Sequence, residues 1–527
     1  MSNLPSRSFA DIRRALLARE ELALVDVREE APFAQGHPLF AANIPLSKLE
    51  LEVFSRIPRR NTAVTLYDNG EGLAAMALQR LHELGYNDVR LLEGGLQGWR
   101  DAGGELFIDV NVPSKAFGEL VESQRHTPSL AAEEVLALIA AKADVVVLDA
   151  RRYDEYQTMS IPGSISVPGA ELVLRARELA PDPNTRIIVN CAGRTRSIIG
   201  TQSLMNAGLP NIVSALRNGT IGWLLANQTL EHGQARRFSA VSEDTRELAN
   251  ADALKVAHKA GVKRASRADL PHWQTEPARS TYLFDVRTPE EFTRGHLPGS
   301  RSTPGGQLVQ ETDHYASVRG ARLVLIDDDG VRANMSGSWL AQLGWEVFVV
   351  DDLQPNDFSE KGDWEAPIPE PRQAEEISAE TLAQWRDQGD VAVLDFTTSA
   401  SYVKQHIPGA WWVLRGQLNQ ALENIPVAQR YVLTCGSSRL ARLAVAQVEA
   451  LTGKQVFLLT GGNATWFASG FPVQAGESHL ASPRIDRYRR PYEGTDAPRK
   501  AMQAYLDWEF GLVDQLARDG THGFFVI

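Results

Sequence analysis

The stretch that decides the fold is RIIVNCAGRTRSIIGTQSLMNAG, residues 186–208. It opens with an apolar run typical of a strand buried on both faces of a parallel sheet. The polar loop CAGRTR (191–196, the Cys191 loop) follows, and then a segment with helical spacing that stops at Gly208. This order places Cys191 outside the carboxyl end of a strand, where open α/β sheets bind ligands.

The same pattern occurs four times along the 527 residues. In each copy one apolar strand ends in Asp, and a later strand ends at the residue that opens the polar loop. We predict four tandem, doubly wound parallel-sheet α/β domains and a C-terminal helical tail. The strand-ending residues are Asp26, Asp149, Asp285 and Asp395; the loop-opening residues are Asp68, Cys191, Asp327 and Cys435. The predicted domains are 1–112, 120–235, 250–366 and 372–476, the tail is 477–527, and linkers are expected at 110–118, 236–250 and 365–376.

Composition excludes several classes of function. The net charge is −12 without a basic block, and no apolar run approaches about 18 residues, which argues against nucleic acid and membranes as partners. The N-terminus lacks the apolar core of a secretory signal. Two cysteines exclude a disulfide scaffold or a Cys-rich zinc site, and they favour the cytoplasm. Without a Walker loop or a dinucleotide fingerprint, we expect no metal or cofactor.

The Cys191 loop combines a nucleophile with an anion site. Backbone N–H groups at a helix N-terminus bind anions, and their partial positive charge lowers the pKa of a thiol. Arg194 and Arg196 add fixed charge and paired donors for an oxyanion. The alternative is a small, inert, buried Cys, which does not account for two arginines within five residues.

These landmarks together resemble the rhodanese family. The Asp-ending strand, a Pro-Gly turn, the Cys loop and a Gly-Gly-x-x-x-Trp closure, as in residues 94–99 and 461–466, carry the resemblance over nearly the whole chain. The chain is similar to the four-domain thiosulfate sulfurtransferases of bacteria. The resemblance implies that a thiolate takes sulfane sulfur from a small anionic donor such as thiosulfate. The resulting persulfide passes sulfur to cyanide or another thiophile.

The resemblance implies a role for each loop-opening residue. Cys191 is the expected nucleophile. Cys435 is active, vestigial or persulfide-storing, because Leu440 stands where the family has Arg or Thr, with Arg439 one residue early. A carboxylate cannot carry sulfane sulfur, so domains 1 and 3 are expected to be non-catalytic. The predicted substrate-binding residues are Ala192, Gly193, Arg194, Thr195, Arg196 and Arg151.

Other functions stay open at this point. The protein could be a persulfide carrier that delivers sulfur to a protein acceptor. The protein could also be a phosphatase, but the related phosphatases have a Cys-x5-Arg loop, which is longer than the six-residue loop found here. Arsenate reduction on the same anion cradle is a further alternative. The sequence leaves open whether thiosulfate, mercaptopyruvate or glutathione persulfide is the donor, and whether the chain is a monomer or a homodimer.

Overall fold

The chain folds into four sheets, each built by one of the predicted repeats. The structure, a computed structural model, describes residues 4–370 and 373–527. All strand pairs within the four sheets are parallel. The predicted fold class, four α/β domains and a helical tail, is confirmed. Residues 371 and 372, inside the third predicted linker, lie outside the described residues.

Each sheet has five strands in one recurring order. In domain 1 this order is β1-β5-β4-β2-β3, and the other domains repeat it with the equivalent strands. The strands are β1 Ser6–Arg7, β2 Ala23–Asp26, β3 Ala41–Asn43, β4 Val64–Tyr67 and β5 Val89–Leu92; β6 Ser129–Leu130, β7 Val145–Asp149, β8 Ile165–Ser166, β9 Arg186–Asn190 and β10 Val213–Leu216; β11 Lys263–Ala265, β12 Thr281–Asp285, β13 Arg301–Ser302, β14 Arg322–Ile326 and β15 Glu346–Val350; β16 Glu375–Ile377, β17 Val391–Asp395, β18 Trp411–Trp412, β19 Arg430–Thr434 and β20 Gln455–Leu459.

Helices connect the strands and flank the sheets. The domain helices are α1 Phe9–Ala18, α2 Glu30–Ala34, α3 Leu49–Arg56, α4 Leu73–Glu83 and α5 Gly95–Asp101; α7 Ala132–Ala140, α8 Tyr153–Thr158, α9 Leu172–Leu179, α10 Thr195–Asn206 and α11 Gly219–Leu225; α13 Leu270–Thr275, α14 Pro289–Arg294, α15 Gly305–Gln310, α16 Thr312–Tyr315 and α17 Arg332–Gln342; α18 Ala379–Gln388, α19 Ser399–Lys404, α20 Leu418–Glu423, α21 Arg439–Thr452 and α22 Gly462–Ala468. Short 3-10 turns lie at Leu46–Lys48, Gly169–Glu171, Arg267–Asp269, Pro355–Asp357 and Arg415–Gln417. Within the described ranges, no helix is both long and apolar enough to span a membrane.

The central strand of each sheet carries the candidate chemistry. It is β4, β9, β14 or β19, and its neighbours bury it on both sides. The strand next to it ends in the recurrent Asp. The connections that follow these two parallel strands lead to opposite sides of the sheet, so the loop after the central strand lies at the switch point of the sheet, where ligands bind in open α/β folds.

The first two predicted linkers are largely helical. Residues 110–118 enter α6, Val112–Arg125, and residues 236–250 enter α12, Glu243–Lys259. Pro113, within the first of these segments, is buried in the first turn of α6, where proline leaves no hydrogen bond unmade. Helix α6 is central rather than exposed: Phe117 packs edge-on against Trp339 and Phe524, at 6.0 and 5.6 Å between ring centroids.

The tail contains two helices, α23 Arg499–Phe510 and α24 Leu512–Asp519, which meet at Gly511. Helix α24 packs on α6, and Leu512 and Leu516 join a core shared by domains 1 and 3. Helix α23 lies against α6 and α11. The tail therefore reaches domain 2, although domain 4 precedes it in the chain.

Candidate active site at the Cys191 loop

Cys191 lies directly after β9 and opens the loop that leads into α10. Its side chain is only 1% exposed, and its thiol donates to Ser197 Oγ at 3.4 Å. The N–H of Ser197 also interacts with the sulfur. Strand, loop and helix thus hold the thiol at the N-terminus of a helix, as the sequence predicts.

Helix α11 holds the loop backbone in place. The N–H groups of Thr220 and Ile221 donate to the carbonyl oxygens of Cys191 and Ala192 at 2.9 and 3.0 Å. This approach requires Gly219, because a Cβ there would lie 2.3 Å from the Cys191 oxygen. Gly462 has the same relation to Cys435, also at 2.3 Å. The recurring glycine was the available sequence signal, but the role is visible only in the structure.

Burial controls the pKa of the Cys191 thiol. It raises this pKa above the ordinary value, while the nearby charge of Arg196 and the interactions with Ser197 only partly oppose it. The N–H of Ser197 in the first turn of α10 lowers the pKa of Cys191, as expected, but burial outweighs this contribution and the net pKa is raised. The cause is desolvation, which disfavours the charged thiolate.

Arg196 is fixed beside the thiol by a carboxylate of α8. Its guanidinium donates two hydrogen bonds to Glu155, at 2.7 and 2.9 Å. Burial alone would raise the pKa of Glu155, but the charge of Arg196 outweighs burial and holds that pKa at about 2. The pair therefore stays ionised at neutral pH, and Arg196 remains a fixed cation near Cys191.

Arg194 points away from the position expected for a substrate-binding side chain. Its guanidinium donates to Glu119 of α6 at 2.7 and 2.8 Å and also pairs with Glu122. It lies 4.2 Å from the ring centroid of Phe510. These contacts occupy the guanidinium, so only the backbone of Arg194 is available for the predicted role in substrate binding.

Arg151 is also held internally. Its guanidinium donates to both carboxylate oxygens of Asp149, at 2.9 and 2.8 Å, and to the Met159 carbonyl at 2.6 Å. The equivalent Arg–Asp pairs recur in domains 1 and 3. Arg151 also lines an open cavity of about 270 Å³ together with Arg196. Its main visible role is to tie the strand end to the following turn.

The other predicted residues lie where the sequence places them along the loop. Ala192 is buried against Tyr492 and Tyr505 of the tail. Gly193 faces helix α23 of the tail, which carries Tyr505. Thr195 begins α10, and its buried hydroxyl has no hydrogen-bond partner within the described residues.

The residue six positions after each loop-opening residue directs its backbone N–H at the side chain of that loop-opening residue. The N–H of Ala74 donates to Asp68, and that of Ala333 donates to Asp327, at 2.9 and 2.8 Å. The N–H groups of Ser197 and Ala441 interact in the same way with Cys191 and Cys435. In domains 1 and 3 the carboxylate therefore occupies the anion cradle from within.

The Cys435 loop, residues 435–440, is built similarly but is more open. The N–H groups of Ser437 and Leu440 also interact with the sulfur, although burial still raises the pKa of the Cys435 thiol. A Cβ added at Gly436 would meet nothing within 4 Å in the described part of the chain. Arg439 turns outward to the Ala366 carbonyl, at 3.1 Å, and so does not replace the missing loop arginine.

Three histidines near the Pro turns contribute to packing. His37, His296 and His406 stack on aromatic rings one turn earlier, with centroids 4.0, 3.7 and 3.8 Å apart. Each is buried. They belong to domains 1, 3 and 4, so none serves Cys191.

Sequence reasoning missed the residues that cover the Cys191 loop. Tyr505 and Glu509 of α23 lie against Gly193: a Cβ there would be 3.2 Å from Tyr505 Cε1 and 3.5 Å from Glu509 Oε2. Helical spacing predicted a helix in the tail, but nothing in the repeat indicated that it lies on domain 2.

Comparisons with known proteins agree with this architecture. The rhodanese-like domain model matches residues 10–102, 131–226, 267–352 and 378–469. A crystal structure of a thiosulfate sulfurtransferase from Pseudomonas aeruginosa is 72% identical, covers 99% of this chain and 100% of its own, and superposes with a TM-score of 0.99.

Shorter relatives match part of the chain. A thiosulfate sulfurtransferase of Pseudomonas aeruginosa is 28% identical over 222 residues, which is 34% of this chain and 80% of the relative. One from Azotobacter vinelandii is 27% identical over 210 residues, 36% of this chain and 76% of the relative. Four matches to one family model, each spanning four of the five strands of one sheet, lead to one conclusion: the chain belongs to the rhodanese family.

Proposed function

We propose that the protein is a thiosulfate sulfurtransferase whose nucleophile is Cys191. One observation carries the proposal: in all four domains the loop directs a backbone N–H at the side chain that opens it, and in two domains that side chain is a carboxyl group whose oxygen accepts the hydrogen bond. The loop is therefore a cradle for a hydrogen-bond acceptor such as an oxyanion, and in domain 2 it surrounds a thiol. The 72% identical relative carries the same activity in its name.

The reaction follows from a thiolate in this cradle. The Cys191 thiol first releases its proton to solvent. The thiolate then attacks the outer sulfur of thiosulfate, the sulfur–sulfur bond of the donor breaks, and sulfite leaves with the electron pair. A persulfide remains on Cys191. Cyanide attacks the terminal sulfur of this persulfide, forms thiocyanate and returns the thiolate, as in general nucleophilic catalysis.

The loop supplies different groups for binding and for positioning. The backbone N–H groups of residues 192–196 and the fixed charge of Arg196 would hold the oxyanion end of the donor. Arg194 would stabilise the loop through α6, since its guanidinium is already paired. Arg151 would act through Asp149, at the end of the neighbouring strand. Both cysteines are unpaired, which suits a reducing cytoplasm.

The domains would divide the work. The carboxyl groups of Asp68 and Asp327 fill their own cradles, so domains 1 and 3 support the assembly without taking up sulfur. The open Cys435 loop favours a second candidate function, in which domain 4 stores a persulfide and passes sulfur to a protein acceptor. An exposed loop admits a large partner, whereas the covered Cys191 loop does not.

Sulfur transfer from thiosulfate to cyanide tests the proposal. We would compare the wild type with Cys191→Ala, Cys435→Ala and the double variant, and measure intact mass after loading with thiosulfate. One sulfur adds about 32 Da to the covalent intermediate. We expect turnover to be abolished in Cys191→Ala and in the double variant, and to persist in Cys435→Ala. Full turnover in Cys191→Ala would make Cys435 the nucleophile, and a wild type that neither loads nor turns over would refute thiosulfate as donor.

A further inference from the structure

The tail provides the Cys191 site with a buried carboxyl group outside the rhodanese repeat. Glu509 is 0% exposed and lies on α23. Its Oε1 accepts a hydrogen bond from the Tyr505 hydroxyl at 2.8 Å. Its Oε2 has no hydrogen-bond partner within the described residues and would lie 3.5 Å from a Cβ at Gly193. A buried polar atom without a partner, aimed at the cradle, needs an explanation.

Resting on the proposed function, we propose that Glu509 is a donor-binding residue. Its carboxyl group donates a hydrogen bond to an oxygen of a small anionic sulfur donor held in the Cys191 loop. The missing partner of Oε2 is then the donor itself. Because Cys191 is 1% exposed, the donor enters when this cover opens, and a small donor is favoured over a bulky one.

The surroundings keep this carboxyl group protonated at neutral pH. Burial raises the pKa of Glu509 to about 8, and the charge of Glu119 adds to this effect. Lys115 on α6, Arg194 on the loop and the Tyr505 hydroxyl act in the opposite direction. A protonated carboxyl donates to an anion, whereas an ionised one repels it.

Domain 4 supplies an internal comparison. Ser437, at the position equivalent to Gly193, is exposed, and no atom of the described residues would lie within 4 Å of a Cβ added at its neighbour Gly436, so the tail does not cover this part of the loop. The carboxyl group is therefore an addition specific to domain 2. It acts on the donor only where the loop also retains its arginine.

Binding of thiosulfate at several pH values tests the proposal without turnover. We would titrate thiosulfate into Cys191→Ser and into Cys191→Ser with Glu509→Gln, by calorimetry from pH 7 to 9. If only the protonated carboxyl binds the anion, affinity in the first variant falls about ten-fold by pH 9, one unit above the pKa. The amide of Gln keeps a donor and cannot ionise, so affinity in the second variant stays constant. Asp507→Asn, on the exposed face of the same helix, is the matched control and retains the ten-fold fall.

A second variant keeps the test decisive if Glu509→Gln unfolds. Tyr505→Phe removes a hydrogen bond that lowers the pKa of Glu509, so the fall in affinity should move to higher pH. Equal pH profiles with and without Glu509, no shift in Tyr505→Phe, or no binding at pH 7 would each overturn the proposal. Donor binding with the expected profile but no sulfur on Cys191 would refute the proposed function alone. Sulfur loading on Cys191 without the expected pH profile of binding would refute only the proposed role of Glu509.

Discussion

Replacing Gly219 by Ala tests how the Cys191 loop is held. The new Cβ would lie 2.3 Å from the Cys191 carbonyl oxygen and 2.9 Å from the Ala192 carbonyl carbon. Carbon contacts are optimal at about 3.5–4.0 Å, so the loop and α11 must separate by about 1 Å. The φ of 55° adds about 1–2 kcal/mol, which is not decisive, because the preceding Asn218 adopts a φ of 62°.

The expected consequence is kinetic. Misplacing a reacting group by about 1 Å reduces a rate about 100-fold. We therefore expect thiosulfate to load sulfur onto Cys191 about 100-fold more slowly in Gly219→Ala, in a single-turnover assay read by peptide mass. Gly462→Ala is the matched control, since its Cβ would lie 2.3 Å from the Cys435 oxygen. It should leave Cys191 loading unchanged. A folded Gly219→Ala protein that loads Cys191 at the wild-type rate would refute the reasoning.

Three further outcomes follow from other contacts. Arg194→Met breaks an ion pair in which the side chains of Arg194 and Glu119 are each 4% exposed, so the free energy of unfolding in urea should fall by about 3–5 kcal/mol; a stable variant with a raised KM for thiosulfate would instead place this guanidinium on the donor. Burial raises the pKa of Glu29 from 4.5 to about 7, so stability is lost as pH rises between these values. Glu29→Gln should remove that loss. Between pH 4 and pH 8, the free energy of unfolding of the wild type should therefore fall by up to about 3 kcal/mol more than that of the variant, and parallel stability curves would contradict this. Iodoacetamide should alkylate Cys435 faster than Cys191, because α23 covers the Cys191 loop and leaves the Cys435 loop open, and peptide mapping that finds the reverse order would contradict the assigned cover.

The sequence predicted the fold because the patterns that specify each domain are local. Apolar strand runs, helix stops at glycine and the recurrent strand-ending Asp depend on neighbours a few residues apart. The position of Cys191 at a strand-to-helix junction follows from the same local pattern. The loop arginines were equally visible, but only Arg196 proved to be near the thiol.

The role of Arg194 could not be predicted from the loop. Its partner Glu119 lies 75 residues earlier in the chain, on helix α6, of which residues 112–118 were expected to be a linker. Spacing along the sequence gives the position of a residue on an element, but not the neighbour that its side chain meets. Arg151 differs, because its partner Asp149 is only two residues away, and the side chain also lines the cavity beside Arg196.

The sequence by itself determined four α/β domains, the two cysteines at cradle positions and the two aspartates that replace them. These features arise from hydrophobic periodicity and from the chemistry of single residues, which act over short stretches. Only the tertiary structure decided that the tail covers domain 2, that Glu509 faces Gly193 and that burial raises the pKa of Cys191. Each of these depends on segments distant in the chain that exclude water from one place, and desolvation is a property of the folded assembly rather than of any local pattern.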